Sequence, residues 1–202
     1  MDMCYNLIPN YLYPYDNETF MQYEGKAYSV VTNIETGQPE YLRLKDMDKD
    51  LICVRASASL PLVSRTVVIN GKKYLDGGIS DAIPLQQSIL DGNRKNIVIM
   101  TKEVGYVREP ISSSQLALIK ARYLKYPKVY EMMASRHDRY NENVRFVERM
   151  QQDGHAFVLR PAKAGDVGRI EKDKDKLIAL YEEGYRDAEA GFEAMMKYLQ
   201  ED

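Results

Sequence analysis

The stretch Lys73–Leu85, Lys-Tyr-Leu-Asp-Gly-Gly-Ile-Ser-Asp-Ala-Ile-Pro-Leu, is the feature that most constrains the fold of this 202-residue chain. A short apolar strand ends on a carboxylate, Asp76, two glycines follow, and Pro84 stands near the start of a predicted helix. Because glycine accepts backbone angles closed to other residues and lets a neighbouring chain come close, Gly77 and Gly78 can hold the acid at the edge of a sheet. The alternative is an ordinary strand-to-helix turn in which Asp76 caps local backbone groups.

Asp76-Gly77-Gly78 and the residues after it, Ile79 to Leu85, resemble the Asp-Gly-Gly motif of the patatin-like phospholipases. Other segments resemble a bacterial branch of that family in the same order along the chain: Tyr28–Gly37, Arg55–Pro61, Asn96–Thr101 and Val167–Ile170. One departure is Ala82, where many relatives carry Asn. The resemblance implies an α/β fold, the C-terminal portion of a patatin-like three-layer α/β/α sandwich, and we predict a single, partial domain over residues 1–202.

Two further motifs of that family do not occur in the sequence. The family's oxyanion loop has the pattern Gly-x-Gly-x-x-Gly, and its nucleophile lies in Gly-x-Ser-x-Gly; here no Gly-x-Gly occurs, and no serine has glycine at both −2 and +2. We therefore expect a patatin-like hydrolase chain that begins after its own nucleophile, so whether it is an enzyme by itself stays open.

In the resemblance, Asp76 pairs directly with a nucleophilic serine and acts as its general base, with no histidine between them. Ser80 is the competing internal nucleophile, because Gly78-Ile-Ser80-Asp-Ala82 lies between a strand and a helix, as a nucleophile elbow does. Asp81 beside it would oppose the oxyanion that forms during acyl transfer, which disfavours Ser80. We predict that Ser57 and Ser59 bond local backbone groups or line a wall of the site.

Neither a metal nor a cofactor is implied by the sequence. His137 lies in Arg-His-Asp-Arg on a charged helix face and His155 follows a turn, so neither has metal-ligand spacing and both are predicted to face solvent. The lack of a well-placed histidine fits a Ser-Asp dyad better than a Ser-His-Asp triad.

Composition limits the classes of binding partner and the cellular compartment that we expect for this chain. A net charge of −2 gives no reason to expect nucleic acid. Cys4 and Cys53 do not make a disulfide scaffold, so we predict two buried thiols in a reducing, cytoplasmic setting. The start has neither the basic nor the apolar region of a signal peptide, and no apolar run is long enough to span a membrane. We then expect a lipid or ester substrate to be bound either as a single dissolved molecule or at a membrane surface that the protein contacts peripherally.

The periodicity predicts alternating strands and helices. Asn70-Gly71 predicts a type I′ hairpin that leads into Asp76. Strand, helix and strand between residues 73 and 101 form a candidate βαβ unit. The other predicted elements are a largely irregular N-terminus (1–24), a hairpin (26–44), a helix (46–59), a helical region broken near Pro127 (112–152), a strand (155–160) and a long helix from Lys172.

Three functions follow from these observations. The first is the C-terminal part of a lipid acyl hydrolase of the phospholipase A or lysophospholipase type, which supplies the dyad Asp and is inactive alone. The others are a half-enzyme complemented by a separate N-terminal piece and a non-catalytic binding or assembly module. We also predict self-association through an apolar strand such as Ile97–Thr101, unless residues 1–24 fold over it as a lid.

Overall fold

The computed structural model describes residues 3–163, 165, 167 and 171–201, and its elements confirm the predicted mixed α/β class. Six strands are described: β1 (Ala27–Asn33), β2 (Pro39–Leu44), β3 (Val67–Ile69), β4 (Lys72–Asp76), β5 (Asn96–Ile99) and β6 (Ala156–Leu159). The α-helices are α1 (Asn17–Gln22), α2 (Met47–Ser57), α3 (Leu85–Leu90), α4 (Ser113–Arg122), α5 (Pro127–Ala134), α6 (Arg136–Gln152) and α7 (Lys174–Gln200). A 3₁₀ turn (Gly77–Ile79) follows β4 directly.

The described chain divides into two compact units. The first comprises the residues up to Ile83 together with Glu109–Tyr140, and the second comprises Pro84–Arg108 together with the residues from Asn141 onward. The first unit is therefore built from two stretches of sequence, and it contains the whole Asp76 turn.

An antiparallel sheet with the strand order β2-β1-β4-β3 forms the centre of the first unit. Asn70 and Gly71, with φ of 50° and 78°, form the predicted two-residue turn between β3 and β4. The positive φ of Gly37, 73°, accompanies the turn between β1 and β2. The register places Val31 beside Asp76, so the acid ends a central strand rather than an edge strand.

Helices α4 and α5 complete the core of the first unit. Ile34, Leu75 and Ile79 from the sheet and its following turn pack with residues of the two helices that come much later in the chain: Ile119, Tyr123, Val129 and Met133. Ser112 caps α4 through the Gln115 N–H, as its Ser-x-x-Gln pattern predicts, and α5 begins at Pro127. Apolar burial therefore joins the Asp76 turn to the helices that precede α6.

Strands β5 and β6 pair in parallel in the second unit, and α7 packs along β6. Asn96 is buried at the start of β5, where its N–H donates to the Tyr198 hydroxyl at 3.0 Å. The side chain of Ile99 on β5 is 77% exposed, although parallel strands are ordinarily covered on both faces.

Two predicted features differ from the structure. The strand, helix and strand between residues 73 and 101 exist, but β4 and β5 belong to different sheets; the parallel partner of β5 is β6. Sequence adjacency suggested the first pairing, whereas side-chain patterns do not specify which strands meet. Met3–Leu12 form a π-helical segment rather than irregular chain.

Candidate active site

Asp76 is held at both of its main-chain polar groups. Its N–H donates to the Ser59 carbonyl at 2.8 Å, and its carbonyl accepts the Thr32 hydroxyl at 2.8 Å. Thr32 and Ser59 are almost completely buried, so these bonds lie in the interior of the first unit. The backbone that carries the carboxylate is thus fixed from β1 on one side and from the end of α2 on the other.

The carboxylate itself is oriented by the turn that follows it. Oδ1 of Asp76 accepts the N–H of Gly78 at 2.7 Å, which caps the short 3₁₀ turn and fixes the side chain relative to the backbone. The residue is half-buried. Local capping, the alternative considered from the sequence, therefore does occur at Asp76, and it provides orientation of the kind a catalytic carboxylate needs.

Gly77 is required by close packing. A Cβ on this residue would lie 2.2 Å from the Val30 carbonyl oxygen and 2.5 Å from its carbonyl carbon, well inside contact distance. Neither Gly77 nor Gly78 has a positive φ, so backbone freedom does not explain this pair. Of the two reasons considered from the sequence, the close approach of a neighbouring chain holds for Gly77, and the special backbone angle does not.

Ser80 lies just after the turn, with its hydroxyl 2.8 Å from that of Thr32. Since the single Thr32 proton goes to the Asp76 carbonyl, the Ser80 hydroxyl is the donor in this pair. Its oxygen also lies 3.5 Å from the Gly77 carbonyl. The described hydrogen bonds of Ser80 thus support the loop that follows Asp76. The neighbouring Asp81 accepts the Tyr41 hydroxyl at 2.6 Å.

Two arginines of the Arg-His-Asp-Arg segment, which the sequence predicts on a charged helix face, bind this turn. Arg136 Nε donates to the Gly78 carbonyl at 2.8 Å, and Arg139 Nη2 donates to the Ile79 carbonyl at 2.9 Å. Both are part-buried and lie one turn apart at the start of α6. Their spacing at i and i+3 was the available signal, since it places two guanidinium groups on one side of a helix.

The remaining candidates are placed as follows. The Ser59 hydroxyl donates to the Arg55 carbonyl at 2.7 Å, as predicted for a local backbone bond, while Ser57 ends α2. His155 is exposed as predicted, but the His137 side chain is only 23% exposed. Among the described residues, no cluster of three His, Cys, Asp or Glu side chains is arranged to hold a metal.

Cys53 is buried as predicted, and burial raises the pKa of its thiol, whereas Cys4 is exposed, contrary to the prediction. No helix within the described ranges is both long enough and apolar enough to cross a membrane. Of the segment Val167–Ile170, which also carried the resemblance, only Val167 lies within the described residues.

The mixed α/β fold and the strand that ends in Asp-Gly-Gly agree with comparisons to known proteins. Residues 17–89 match the model of the patatin-like phospholipases, and residues 126–200 match a domain of unknown function, DUF6363. The first stretch, which holds Asp76, Gly77 and Gly78, is thus similar to the patatin-like phospholipases, a family of lipid acyl hydrolases.

A curated relative is the uncharacterized protein YjjU of Escherichia coli (strain K12), which is 45% identical over 49 residues. This aligned stretch covers 24% of the chain and 14% of the relative. The second family model begins at residue 126, so Arg136 and Arg139 lie in the segment of unknown function while the turn they bind lies in the patatin-like one.

Proposed function

We propose that this chain supplies the acid of a Ser-Asp dyad in a lipid acyl hydrolase, with Asp76 as the general base. The nucleophilic serine would come from polypeptide outside these 202 residues, which contain no Gly-x-Ser-x-Gly. The observation that supports this assignment is the fixation of Asp76: its N–H, its carbonyl and its carboxylate each have a hydrogen-bond partner. Preorganised carboxylates of this kind are typical of catalytic sites.

In the proposed reaction, the Asp76 carboxylate takes the proton of the serine hydroxyl as the serine oxygen attacks the ester carbonyl carbon. The proton then passes to the departing alcohol as the ester C–O bond breaks and an acyl-serine forms. Water attacks the acyl-serine, again with Asp76 as the base, and releases the fatty acid and the free serine. The substrates that this implies are carboxylic esters of lipids, as in phospholipase A or lysophospholipase reactions.

Ser80 is a poor alternative nucleophile, because its hydroxyl proton is directed at Thr32. On this basis we expect the 202-residue chain by itself to leave short p-nitrophenyl esters unhydrolysed. A fluorophosphonate probe, which labels activated serines, provides the direct test. Labelling of this chain that disappears in Ser80→Ala would overturn the assignment of the nucleophile to another segment.

The dyad assignment is tested in a form that contains a Gly-x-Ser-x-Gly segment, in one chain or as a separate piece. Asp76→Asn should fold normally, because the amide keeps the size and an oxygen for the Gly78 N–H, but it cannot accept the serine proton. We expect a loss of turnover of at least about 10⁴-fold, since removal of a member of a catalytic unit typically costs about 10⁴–10⁶. An Asp76→Asn form with near wild-type turnover would refute the role of Asp76.

The second candidate is a binding or assembly module without chemistry, and the surface of α7 favours it. Seven large apolar side chains of this helix are between 37% and 72% exposed: Leu177, Ile178, Tyr181, Tyr185, Phe192, Met196 and Leu199. Exposed apolar stripes of this length commonly mark interaction sites. If no form of the protein reacts with the fluorophosphonate while the chain forms a stable complex, this candidate replaces the hydrolase.

A further inference from the structure

Arg136 and Arg139 bind two consecutive carbonyls of the turn that follows Asp76. Arg136 Nε is 2.8 Å from the Gly78 oxygen, and Arg139 Nη2 is 2.9 Å from the Ile79 oxygen. The partners are 58 and 60 residues apart in sequence, so these are tertiary contacts rather than local turn chemistry. Hydrogen bonds from charged groups are about twice as strong as neutral ones.

The Arg139 guanidinium is also anchored at the junction of α5 and α6. Arg139 Nη1 donates to the Ser135 hydroxyl at 2.7 Å, and Nη2 also contacts the Met132 carbonyl. The Ser135 hydroxyl in turn donates to the Glu131 carbonyl at 2.8 Å. Arg139 therefore ties the C-terminal end of α5 to the turn, and Arg136, the first residue of α6, bonds the Gly78 carbonyl of the same turn.

Arg136 also brings positive charge to the carboxylate. A Cβ built on Gly78 would lie 3.1 Å from Asp76 Oδ1 and 3.4 Å from Arg136 Nη2, so the two charged groups flank one point in space. Their separation cannot exceed the sum of those distances, which is below the Debye length of about 8 Å in physiological salt. An opposite charge at such range favours the ionised carboxylate.

Other charged groups lie around the same turn. Asp81 belongs to the turn and is bonded to Tyr41, and Arg55 is in the last turn of α2, which packs on β4. Glu40 lies two strands away on β2, where Tyr74 and Lys72 hold its carboxylate. Asp81 and Glu40 thus bond to Tyr41, Tyr74 and Lys72, and Arg55 belongs to α2. Arg136, in contrast, bonds to the carbonyl of Gly78, the residue whose N–H orients Asp76.

We infer that Arg136 is a positioning residue for Asp76: it fixes the carbonyl of Gly78, the residue whose N–H orients the carboxylate, and its charge favours the ionised form of the carboxylate, which accepts a proton. This inference rests on the proposed function for its catalytic meaning. It also assigns a structural role to the N-terminal part of the segment of unknown function: residues of that part hold the Asp-Gly-Gly turn of the patatin-like segment in place by hydrogen bonds.

The first test uses the chain as it is and follows the Asp76 carboxyl carbon by NMR during a pH titration, with the signal assigned by its loss in Asp76→Asn. Removal of the guanidinium in Arg136→Gln should raise the pKa of Asp76 by about 1 unit, since a neighbouring cation lowers a carboxyl pKa by about 1–3. Arg136→Lys keeps the positive charge, so the pKa of Asp76 in this variant should stay close to the wild-type value. Arg145→Gln, an exposed change further along α6, is the matched control and should leave the pKa unchanged.

An Asp76 pKa that is the same in wild type, Arg136→Gln and Arg136→Lys would overturn the inference. If Arg136→Gln does not fold, the comparison of wild type with Arg136→Lys decides: the lysine cannot reproduce the planar Nε–H contact, so a displaced Gly78 amide signal with a nearly unchanged Asp76 pKa is expected. An unmoved Gly78 signal in Arg136→Lys would count against the inference.

The second test uses a catalytically complete form. Arg136→Gln should lower kcat about 10-fold with KM nearly unchanged, and should move the acidic limb of the kcat profile to higher pH, because the base becomes protonated more readily. A merely structural role would lower activity without moving that limb. The two hypotheses fail differently. Full turnover in Asp76→Asn refutes the role of Asp76 as general base, while the effect of Arg136 on the Asp76 pKa persists. An Asp76 pKa that does not change in Arg136→Gln refutes the positioning role of Arg136, while Asp76→Asn stays inactive.

Discussion

The Thr32 hydroxyl on β1 donates to the Asp76 carbonyl at 2.8 Å and accepts the Ser80 hydroxyl, so one buried side chain joins the two ends of the Asp-Gly-Gly-Ile-Ser turn. Thr32→Val keeps the shape of this side chain but removes both bonds. We expect the free energy of unfolding to fall by about 1–3 kcal/mol, because two hydrogen bonds of a buried side chain are lost and each contributes about 0.5–1.5 kcal/mol. Chemical denaturation measures this change. Thr101→Val, at an exposed position, should have little effect, and equal effects of the two substitutions would contradict the role of Thr32.

Gly77→Ala should destabilise the protein, because the new methyl group would lie 2.2 Å from the Val30 carbonyl oxygen and only movement of β1 or β4 could relieve the overlap. Overpacking of a tight site typically costs about 1–3 kcal/mol. The matched control is Gly184→Ala on α7, where no atom lies within 4 Å of the added Cβ. Because alanine is the better helix former, that change should stabilise the protein by up to about 1 kcal/mol. Thermal unfolding of both variants measures the opposite signs; a Gly77→Ala protein as stable as wild type would show that the close approach is wrong.

The carboxylate of Glu40 predicts a pH dependence of stability. Burial raises the pKa of this group, but bonds from Asn33, Tyr74 and Lys72 outweigh it and hold the pKa below its ordinary value of 4.5. A depressed folded-state pKa contributes stability that is present above pH 4.5 and is lost as the pH falls through the folded value. Urea denaturation between pH 7 and pH 3 should show this loss, and Glu40→Gln should flatten it. Glu109→Gln, at an exposed position, is the control; identical pH profiles for wild type and Glu40→Gln would refute the prediction.

The hydrogen bond between Tyr74 and Glu40 also affects the pKa of the tyrosine. Burial raises the pKa of the Tyr74 hydroxyl, and the hydrogen bond to Glu40 adds to the shift. We therefore expect Tyr74 to stay protonated at pH values where exposed tyrosines ionise. Absorbance at alkaline pH should therefore count the same number of ionising tyrosines in native wild type as in native Tyr74→Phe. One more ionising tyrosine in wild type than in Tyr74→Phe would contradict the shift.

Self-association stays a prediction, and Ile99, on the exposed face of β5, is the residue at which it can be tested. Ile99 is 77% exposed, and each such side chain left in water forgoes about 1.5–3 kcal/mol of burial. Ile99→Lys should shift the chain towards monomer in light scattering at micromolar concentration. Val104→Lys, in an exposed loop of the same unit, is the control. A wild-type chain that is already a monomer with no dye binding would refute self-association.

Local signals in the sequence predicted most elements. Asn70-Gly71 specified its hairpin, Ser112 specified the start of α4, and Asp46 caps α2 close to the predicted boundary. These succeed because turn and cap chemistry depends on residues that are neighbours in sequence.

The site was predictable only in part. Asp76 and its glycines followed from a motif, but the reason for Gly77 is the Val30 carbonyl on another strand. Arg136 and Arg139 bind carbonyls about 60 residues earlier, and guanidinium–carbonyl bonds leave no side-chain pattern at the accepting residues. Contacts of this range depend on the tertiary fold, so the sequence predicted the acid and missed the groups that hold it.

The discontinuous core of the first unit has a consequence for synthesis on the ribosome. Ile34, Leu75 and Ile79 leave the ribosome before Ile119, Val129 and Met133, the residues that cover them, have been made. At about 5–20 residues per second, the sheet therefore waits for seconds with its apolar face in water. We therefore expect residues 17–89, the stretch that matches the patatin-like model, not to fold on their own, and we expect a nascent chain that ends before α5 to expose this apolar face.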